Sequence, residues 1–290
     1  MKIAFLFDSG SSFQINKEKD CFVLPMVISV KQNGGETTYL DGVNIKREEL
    51  ESLVNSGAQI HTSQPIIGQI IEMIEDLYKT YDMIIAIPFA KSLSSTFNSI
   101  LSFQKQYGPE KFLVADISAM SITGNWFFYQ LRSYLEQHGT ITQEQLNKLA
   151  EEFKQSSCGA VIVTDTKRLI AGGRLKGLKG LIAKTLKLKL IIKFKEALEF
   201  KDKSLHLKDA IDKTLNIIDK DCQFRKYGIK QAAIVISMSN STLDDDEKYY
   251  EYFIEKLNQE GVTVSKFVLP GCVICHTGTE HVAILIEANK

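Results

Sequence analysis

The strongest constraint on the fold of this chain is an alternation, in its first half, between short apolar runs and segments with helical spacing. The apolar runs lie at residues 2–7, 82–89 and 111–116, and they have the composition of strands buried on both faces of a parallel sheet. Between them, residues 66–81 and 95–108 repeat apolar side chains at the spacing of a helix. Strands that alternate with helices predict a parallel α/β layer.

The second half of the chain has a different pattern. Residues 142–157 predict an amphipathic helix, with Thr142 as its N-cap and Gln145 completing a capping box. Residues 186–195 alternate apolar side chains with lysines, which is typical of a half-exposed strand in an antiparallel or mixed sheet. Residues 232–270 then predict a strand, a helix and a second strand, so this half also has α/β character.

Length and pattern together predict two domains. A chain of 290 residues has about twice the length of a typical domain, and the change of pattern places the boundary near residue 156. The predicted fold class is therefore α/β in two domains. Residues 1–156 would form a mostly parallel sheet flanked by helices, and residues 157–290 would form an α/β domain with a mixed or antiparallel sheet.

The composition favours a cytoplasmic protein without a membrane span. Hydrophobic residues make up 44% of the chain and charged residues 24%, as in globular proteins with a large core. No run reaches the roughly 20 apolar residues of a membrane-spanning helix. The apolar run at the N-terminus ends at Asp8, too early for a signal peptide. Five cysteines, an odd count in a long chain, predict reduced thiols.

Charge is unevenly distributed although the formal net charge is zero. Residues 167–208 contain 13 Lys and Arg against 3 Asp and Glu, an excess of 10 positive charges. Such a segment suits an acidic protein, a phosphate or an anionic membrane surface. Within it, residues 171–180 are rich in Gly and match neither a phosphate loop nor a dinucleotide fingerprint. They predict a flexible turn, with a cationic docking surface carried by Arg174 and Lys176 as the alternative.

Polar side chains follow the predicted parallel strands, at the edge where such sheets bind ligands. Asp8 and Ser9 follow the first strand, Ser92 and Ser94 follow the second, and Asp116 follows the third. This placement makes all five residues candidates for a binding site.

Several hydroxyl groups also have a structural explanation. The stretch HTSQP at residues 61–65 is compatible with a turn into a helix, with Ser63 as the cap and Pro65 near the first helical position. Ser94 and Thr96 are in turn suited to cap the next predicted helix. The residues alone do not distinguish these caps from contacts to a ligand.

Residues 272–276, CVICH, fit the C-x-x-C-H pattern of haem attachment. Attachment of this kind usually occurs outside the cytoplasm, which argues against it here. A zinc site from Cys272, Cys275, His276 and His281 is a second interpretation, although adjacent Cys and His ligands strain tetrahedral geometry. We favour a third, in which two small buried residues lie on a strand that brings His276 to a loop.

Taken in order, these and other segments resemble the DegV family of fatty-acid-binding proteins. The matching segments are FDSGSS at 7–12, YLDG at 39–42, TSQP at 62–65, SLSSTFNS at 92–99, Asp116, TDTKRLIAGGRL at 164–175, LKLKLII at 186–192 and HTG at 276–278. Each is short, but their order extends along nearly the whole chain. The chain departs from the family pattern where Ser95 replaces a Gly and where Ala90 and Lys91 replace a Ser pair.

The resemblance implies two α/β domains with a long-chain fatty acid bound between them. The carboxylate would be held by the hydroxyl groups of Thr62 and Ser94, with His276 close by. The vicinity of this head group would include Asp8, Ser9, Ser63, Ser92, Ser95, Thr96, Asp116, Thr277 and Gly278. The resemblance implies no catalytic residue, no metal and no cofactor besides the bound fatty acid.

The resemblance also implies a carrier rather than an enzyme. The protein would present its fatty acid to a separate ATP-dependent fatty acid kinase subunit, whose acyl-phosphate product feeds phospholipid synthesis. Arg174 and Lys176 would lie on the surface that meets this subunit, or transiently an anionic membrane.

Two other classes of function stay open. A hydrolase would use Ser94 as nucleophile and His276 as base, but no G-x-S-x-G nucleophile elbow surrounds Ser94. A nucleic-acid binder would use the basic segment, but Phe194 and Phe200 are isolated among aliphatic residues and offer little to stack on bases. We therefore expect no nucleic acid partner.

Overall fold

The computed structural model describes residues 1–11, 18–32, 34–164, 166–175, 188–237, 243–257, 262 and 264–290, with only the backbone at 166–167 and 243–246. The strands in these residues are β1 (Ile3–Asp8), β2 (Cys21–Leu24), β3 (Val27–Gln32), β4 (Gly35–Leu40), β5 (Gln59–Ser63), β6 (Met83–Ile87), β7 (Phe112–Val114), β8 (Ser157–Val163), β9 (Lys189–Phe194), β10 (Leu198–Ser204), β11 (Ile229–Ser237), β12 (Val264–Lys266) and β13 (His281–Ala288). The helices are α1 (Arg47–Asn55), α2 (Ile67–Tyr78), α3 (Thr96–Tyr107), α4 (Thr123–His138), α5 (Gln143–Ser156), α6 (Thr166–Ala171), α7 (Leu207–Cys222), α8 (Phe224–Tyr227), α9 (Leu243–Leu257) and α10 (Gly271–Thr277).

The apolar runs of the first half form a parallel sheet in the order β2-β1-β6-β7, as predicted. Because successive side chains of a strand point to opposite faces, β1 supplies both faces of this sheet. Leu6 joins the core that includes Ile100 of α3. Phe5 and Phe7 instead meet Phe128 of α4 edge-on, with ring centroids 4.9 and 5.8 Å apart. Helices therefore cover both faces, which explains why the strands are uniformly apolar.

A second, antiparallel sheet in the order β4-β3-β5 is not predicted from the sequence. In it, Thr62 of β5 lies opposite Ile28 of β3. The interpretation of HTSQP as a helix start is therefore wrong, because Ser63 ends a strand. Helix α2 begins at Ile67 after an N-cap, Ile66, whose side chain makes no capping hydrogen bond. The pairing of β5 with β3 has therefore outweighed the preference of Ser63 for a helix N-cap.

The second half of the chain forms a mixed sheet in the order β10-β9-β8-β13-β11-β12, as predicted. All neighbouring strands are antiparallel except β11 and β12. The alternating segment forms β9, but the prediction that this strand is half-exposed is wrong, because Ile191 on one face is as buried as Leu190 and Phe194 on the other. Residues 186 and 187 lie outside the described residues. The predicted strand, helix and strand of residues 232–270 are β11, α9 and β12.

Helix α5 begins with the predicted capping box. The backbone N–H of Thr142 donates to Gln145 Oε1 at 2.8 Å, and the backbone N–H of Gln145 donates to Thr142 Oγ1 at 3.3 Å. The two side chains therefore satisfy each other's backbone donors at the helix start.

The chain forms two compact units. The first contains Met1–Phe153 and Leu269–Val273, and the second contains Lys154–Val268 and Ile274–Lys290. Helix α10 therefore begins in the first unit and ends in the second.

All five cysteines are buried thiols. Burial raises the pKa of Cys21 to about 12 and that of Cys222 to about 11, because the thiolate would lose its hydration. Neither group is therefore a ready nucleophile near neutral pH. Of the helices in the described part of the chain, none combines the length and the apolar character needed to cross a membrane.

Candidate functional site

Two contacts join the carboxyl ends of the strands in the parallel sheet. Asp8, the last residue of β1, accepts a hydrogen bond at Oδ2 from the backbone N–H of Phe89, which follows β6, at 2.8 Å. The ammonium group of Lys91, also after β6, lies 2.7 Å from Asp116 Oδ2, after β7. The segments that follow β1, β6 and β7 therefore lie together at the edge of the sheet where ligands bind in such folds.

The carboxyl group of Asp8 is completely buried and holds backbone groups in place. Its Oδ1 accepts a hydrogen bond from the backbone N–H of Gly10 at 3.0 Å, in addition to the bond from Phe89. Burial raises the pKa of Asp8 to about 7, and the hydrogen bonds from Phe89 and Gly10 oppose this shift only in part. Asp8 therefore fixes the end of β1 to the segment that follows β6.

Asp41 is a second buried carboxyl group, and it is not among the predicted site residues. Its Oδ2 accepts hydrogen bonds from Ser9 Oγ at 2.9 Å and from the backbone N–H of Cys272 at 3.0 Å. Burial raises the pKa of Asp41, opposed by these hydrogen bonds. Since Ser9 Oγ also accepts from the backbone N–H of Met26 at 3.1 Å, its hydroxyl group is committed within the fold. Asp41 could have been identified from the sequence, because it lies in the YLDG segment that resembles the DegV family.

Thr62 and Ser94 lie in the same unit, and one hydrogen bond connects the segments that carry them. Ser99 Oγ of α3 donates to Gln64 Oε1, just after β5, at 2.8 Å. Thr62 and Ser94 are both half-buried. Neither Gln64 nor Ser99 is among the predicted residues, although both lie inside segments that carry the family resemblance. Their side chains hold the end of β5 against α3.

The hydroxyl group of Ser94 is oriented by its neighbour Thr96. Ser94 Oγ accepts from the backbone N–H of Thr96 at 3.2 Å and lies 2.8 Å from Thr96 Oγ1. Ser94 thus accepts a backbone N–H at the start of α3, whereas Thr96 is its first residue and Ser95 is an N-cap without a side-chain hydrogen bond. When Thr96 donates its hydroxyl proton as well, Ser94 Oγ accepts twice and keeps its own proton for a ligand.

The remaining predicted hydroxyl residues of this unit differ in exposure. Ser63, Ser92 and Ser95 are exposed, whereas Thr96 is completely buried. Among these six residues, only Thr62 and Ser94 are half-buried.

The loop after β7 combines strained backbone with an unsatisfied oxygen. Ser118 and Ser121 have φ of 51° and 57°, in the left-handed region that non-glycine residues seldom occupy. Asp116 Oδ1 is buried and has no hydrogen-bond partner among the described residues. Strained residues of this kind cluster at functional sites. The loop is therefore part of the candidate site, and only Asp116 in it is predicted from the sequence.

The stretch CVICH lies on helix α10, so its interpretation as a strand is wrong. Asp41 accepts the backbone N–H of Cys272, and such a contact satisfies a donor at a helix start. Cys272 and Cys275 are buried. Within the described residues, no group of three or more His, Cys, Asp or Glu has an arrangement that could hold a metal ion.

His276 lies at the end of α10, which Gly278 terminates. Gly278 has φ of 77°, and its N–H donates to the carbonyl oxygen of Ile274 at 2.9 Å. This left-handed glycine is the usual way to end a helix. Thr277 Oγ1 donates to the carbonyl oxygen of Gly278 at 3.2 Å, so its hydroxyl group serves the same turn. His276 itself is half-buried.

The Gly-Gly-Arg segment contacts His276 within the second unit. A Cβ atom at Gly172 would lie 2.3 Å from His276 Nδ1, so only glycine fits beside this imidazole. Arg174 Nη1 donates to the carbonyl oxygen of Gly172 at 2.7 Å. Residues 172–175 therefore turn away from the end of α6 with hydrogen-bonded backbone groups, and the flexibility of residues 171–180 stays a prediction. Lys176 lies outside the described residues.

Lysines of residues 167–208 form ion pairs inside the second unit. Lys193 Nζ lies 2.7 Å from Asp221 Oδ2, and Lys201 pairs with Glu199. Burial alone lowers the pKa of Lys193, but the hydrogen bond and the charge of Asp221 outweigh it and raise the pKa. Because Asp221 lies outside residues 167–208, a charge count of that segment alone overstates its positive charge at Lys193.

The sequence matches the model of one protein family along almost its entire length. That family is described as "Uncharacterised protein, DegV family", and the match covers residues 2–289. A DegV domain-containing protein of Ureaplasma parvum is 35% identical over 216 residues, which cover 74% of this chain and 98% of that protein.

Solved structures give the same fold. A fatty-acid-binding DegV family protein of Streptococcus agalactiae has a TM-score of 0.80 at 19% identity, with 100% of both chains covered. DegV of Bacillus subtilis, described as a fatty acid binding protein, has a TM-score of 0.78 at 23% identity, with 99% of both chains covered. At these identities the likeness establishes the fold.

Proposed function

The chain belongs to the DegV family, and on that premise we propose that it binds a long-chain fatty acid through the hydroxyl groups of Thr62 and Ser94. The bound fatty acids of structurally similar proteins support this, among them the heptadecanoic acid of a DegV family protein from Eubacterium eligens. The observation that carries the proposal is the geometry of Ser94, whose Oγ accepts the backbone N–H of Thr96 at 3.2 Å and lies 2.8 Å from Thr96 Oγ1.

Hydroxyl groups suit the carboxylate because they satisfy it without a buried counter-charge. An ionised carboxylate that leaves water without hydrogen bonds is strongly destabilised. Ser94 can offer its remaining proton, and the half-buried Thr62 can offer a second donor. Hydrogen bonds to a charged group contribute about 1.5–3 kcal/mol each, which is enough to fix the head group.

The acyl tail supplies the larger part of the affinity. Each buried methylene group contributes roughly 0.8 kcal/mol, so about fifteen of them contribute on the order of 12 kcal/mol before the entropy lost on binding. Few polar contacts are then needed, and the head group determines orientation more than affinity.

We propose His276 as a third contact to the carboxylate, and Arg174 with Lys176 as part of the surface for a partner. In this proposal the protein is a carrier without its own catalysis. It presents the fatty acid to a separate ATP-dependent kinase subunit in the cytoplasm, and the basic segment of residues 167–208 transiently approaches an anionic membrane.

Organic extraction of the purified protein, followed by mass spectrometry, tests whether it holds a fatty acid. We expect a long-chain fatty acid close to one per chain, or saturable binding of oleate or palmitate after delipidation. The double variant Thr62→Ala/Ser94→Ala should bind at least tenfold more weakly, since two hydrogen bonds to a charged group are lost.

A matched control removes two exposed hydroxyl groups from the same unit, in the double variant Thr37→Ala/Ser52→Ala. It should bind like the wild type. A protein that contains no lipid and binds neither fatty acid contradicts the proposal. Equal affinities of the two double variants would contradict the assignment of the head-group residues alone.

A further inference from the structure

The imidazole of His276 rests against the backbone of Gly172. A Cβ atom at Gly172 would lie 2.3 Å from His276 Nδ1, 3.0 Å from Cγ and 3.2 Å from its Cβ. Gly172 is buried, and the three atoms nearest to such a Cβ all belong to His276. The peptide backbone at Gly172 therefore forms one wall of the space that the ring occupies.

The peptide groups of Gly172 are fixed by hydrogen bonds on both sides. Its N–H donates to the carbonyl oxygen of Arg168 in α6 at 2.9 Å. Its carbonyl oxygen accepts from Arg174 Nη1 at 2.7 Å. Gly173, with φ of 66°, reverses the chain so that the Arg174 side chain can reach back across two residues. The guanidinium group is charged, which makes this bond stronger than one between neutral groups.

We propose that Arg174 is a positioning residue for His276 and acts through the carbonyl group of Gly172. Arg174 holds the Gly172 peptide, the peptide confines the imidazole, and the imidazole meets the carboxylate of the ligand. Only the contact between the imidazole and the carboxylate rests on the proposed function. The positioning role means that an acidic partner that binds Arg174 competes with the Gly172 carbonyl oxygen and so loosens the contact to the fatty acid.

The first test observes His276 directly in the protein without ligand. The chain has 5 histidines, so imidazole NMR signals can be assigned by substitution. Arg174→Ala should move the His276 signals and leave those of His206, at the start of α7, unchanged. Arg168→Ala removes a positive charge from the same segment and serves as the control. His276 signals at their wild-type positions in Arg174→Ala would overturn the proposal.

Two glycine variants separate steric from backbone effects. Gly172→Ala should move the His276 signals further than Arg174→Ala does, because its new methyl group overlaps the ring. Gly173→Ala forces a left-handed residue but meets nothing within 4 Å. It should lower stability and move the His276 signals less than Gly172→Ala does, because no new atom reaches the ring. The opposite ranking of the two glycine variants would also overturn the proposal.

The second test is a double-mutant cycle on oleate affinity. Arg174→Ala should weaken binding about fivefold, the effect of one hydrogen bond. In a His276→Ala background it should have no further effect, because its action runs through the ring. If Arg174→Ala weakened oleate binding by the same factor in the wild type and in the His276→Ala variant, the positioning role would be refuted. A wild-type protein that binds no fatty acid would refute the proposed function, while the NMR test still decides the role of Arg174.

Discussion

Replacing Asp8 with Asn should remove a pH dependence of stability that the wild-type protein has between about pH 4 and pH 7. Asp8 is completely buried, and its pKa rises from 3.8 to about 7 in the fold. The folded state therefore binds a proton at this group more tightly than the unfolded state does. Its contribution to stability is fully present below the unfolded pKa, declines as the pH rises, and is lost above the folded pKa.

The size of this effect follows from the difference between the two pKa values. A difference of about three units corresponds to about 4 kcal/mol of unfolding free energy, lost between the two pKa values. Domains are usually stable by only about 5–15 kcal/mol, so this is a large share. Asn does not titrate. The Asn amide has one oxygen that accepts a backbone N–H, but its NH₂ group would face the other backbone N–H that Asp8 accepts. This mismatch should lower the unfolding free energy by about 1–3 kcal/mol at every pH.

Urea denaturation at a series of pH values between about 4.5 and 8 measures the difference. The wild type should exceed Asp8→Asn in stability most at low pH, and the gap should narrow as the pH approaches 7. Asp76→Asn removes the same charge from an exposed helix position and should show no such trend. A gap between wild type and Asp8→Asn that stays constant over this range would refute the reasoning.

Three further substitutions test other contacts. Gly271→Ala places a Cβ 2.2 Å from Asp41 Oδ1, so it should lower the unfolding free energy by about 1–3 kcal/mol. Gln145→Ala breaks the capping box of α5 and should lower it by about 0.5–1 kcal/mol in the same urea assay; a loss above that range would show that the side chain has another role. Ser99→Ala releases Gln64 near the end of β5. It should weaken oleate binding several-fold with little change in stability, and unchanged binding would show that this link does not shape the site.

The parallel sheet could be predicted because its strands are buried on both faces. That burial requires uniformly apolar runs, and such runs are visible in the sequence without knowledge of their partners. The capping box of α5 is likewise local, since Thr142 and Gln145 are three residues apart. The alternation around Leu190 identifies β9 because Leu190, Ile192 and Phe194 lie on one face of the strand, although Ile191 on the other face is buried as well.

The antiparallel sheet and the course of α10 could not be predicted, because both depend on distant partners. Strand β4 is polar and largely exposed, so no apolar signal marks it. Strand β5 carries hydroxyls that suit a helix cap equally well, and only the pairing with β3 decides between them. The helix at Cys272 begins where Asp41, 231 residues earlier in the chain, accepts its backbone N–H.

That last contact has a consequence for the order in which the protein can be completed. The first unit includes Leu269–Val273, and Arg47 donates to the carbonyl oxygen of Leu269. In a nascent chain that has emerged only as far as residue 153, the backbone donor of Cys272 to the Asp41 carboxyl group has therefore not yet been synthesised. Residues 269–273 must be synthesised before the first unit is complete, and a fragment of residues 1–153 lacks a segment that belongs to its own unit.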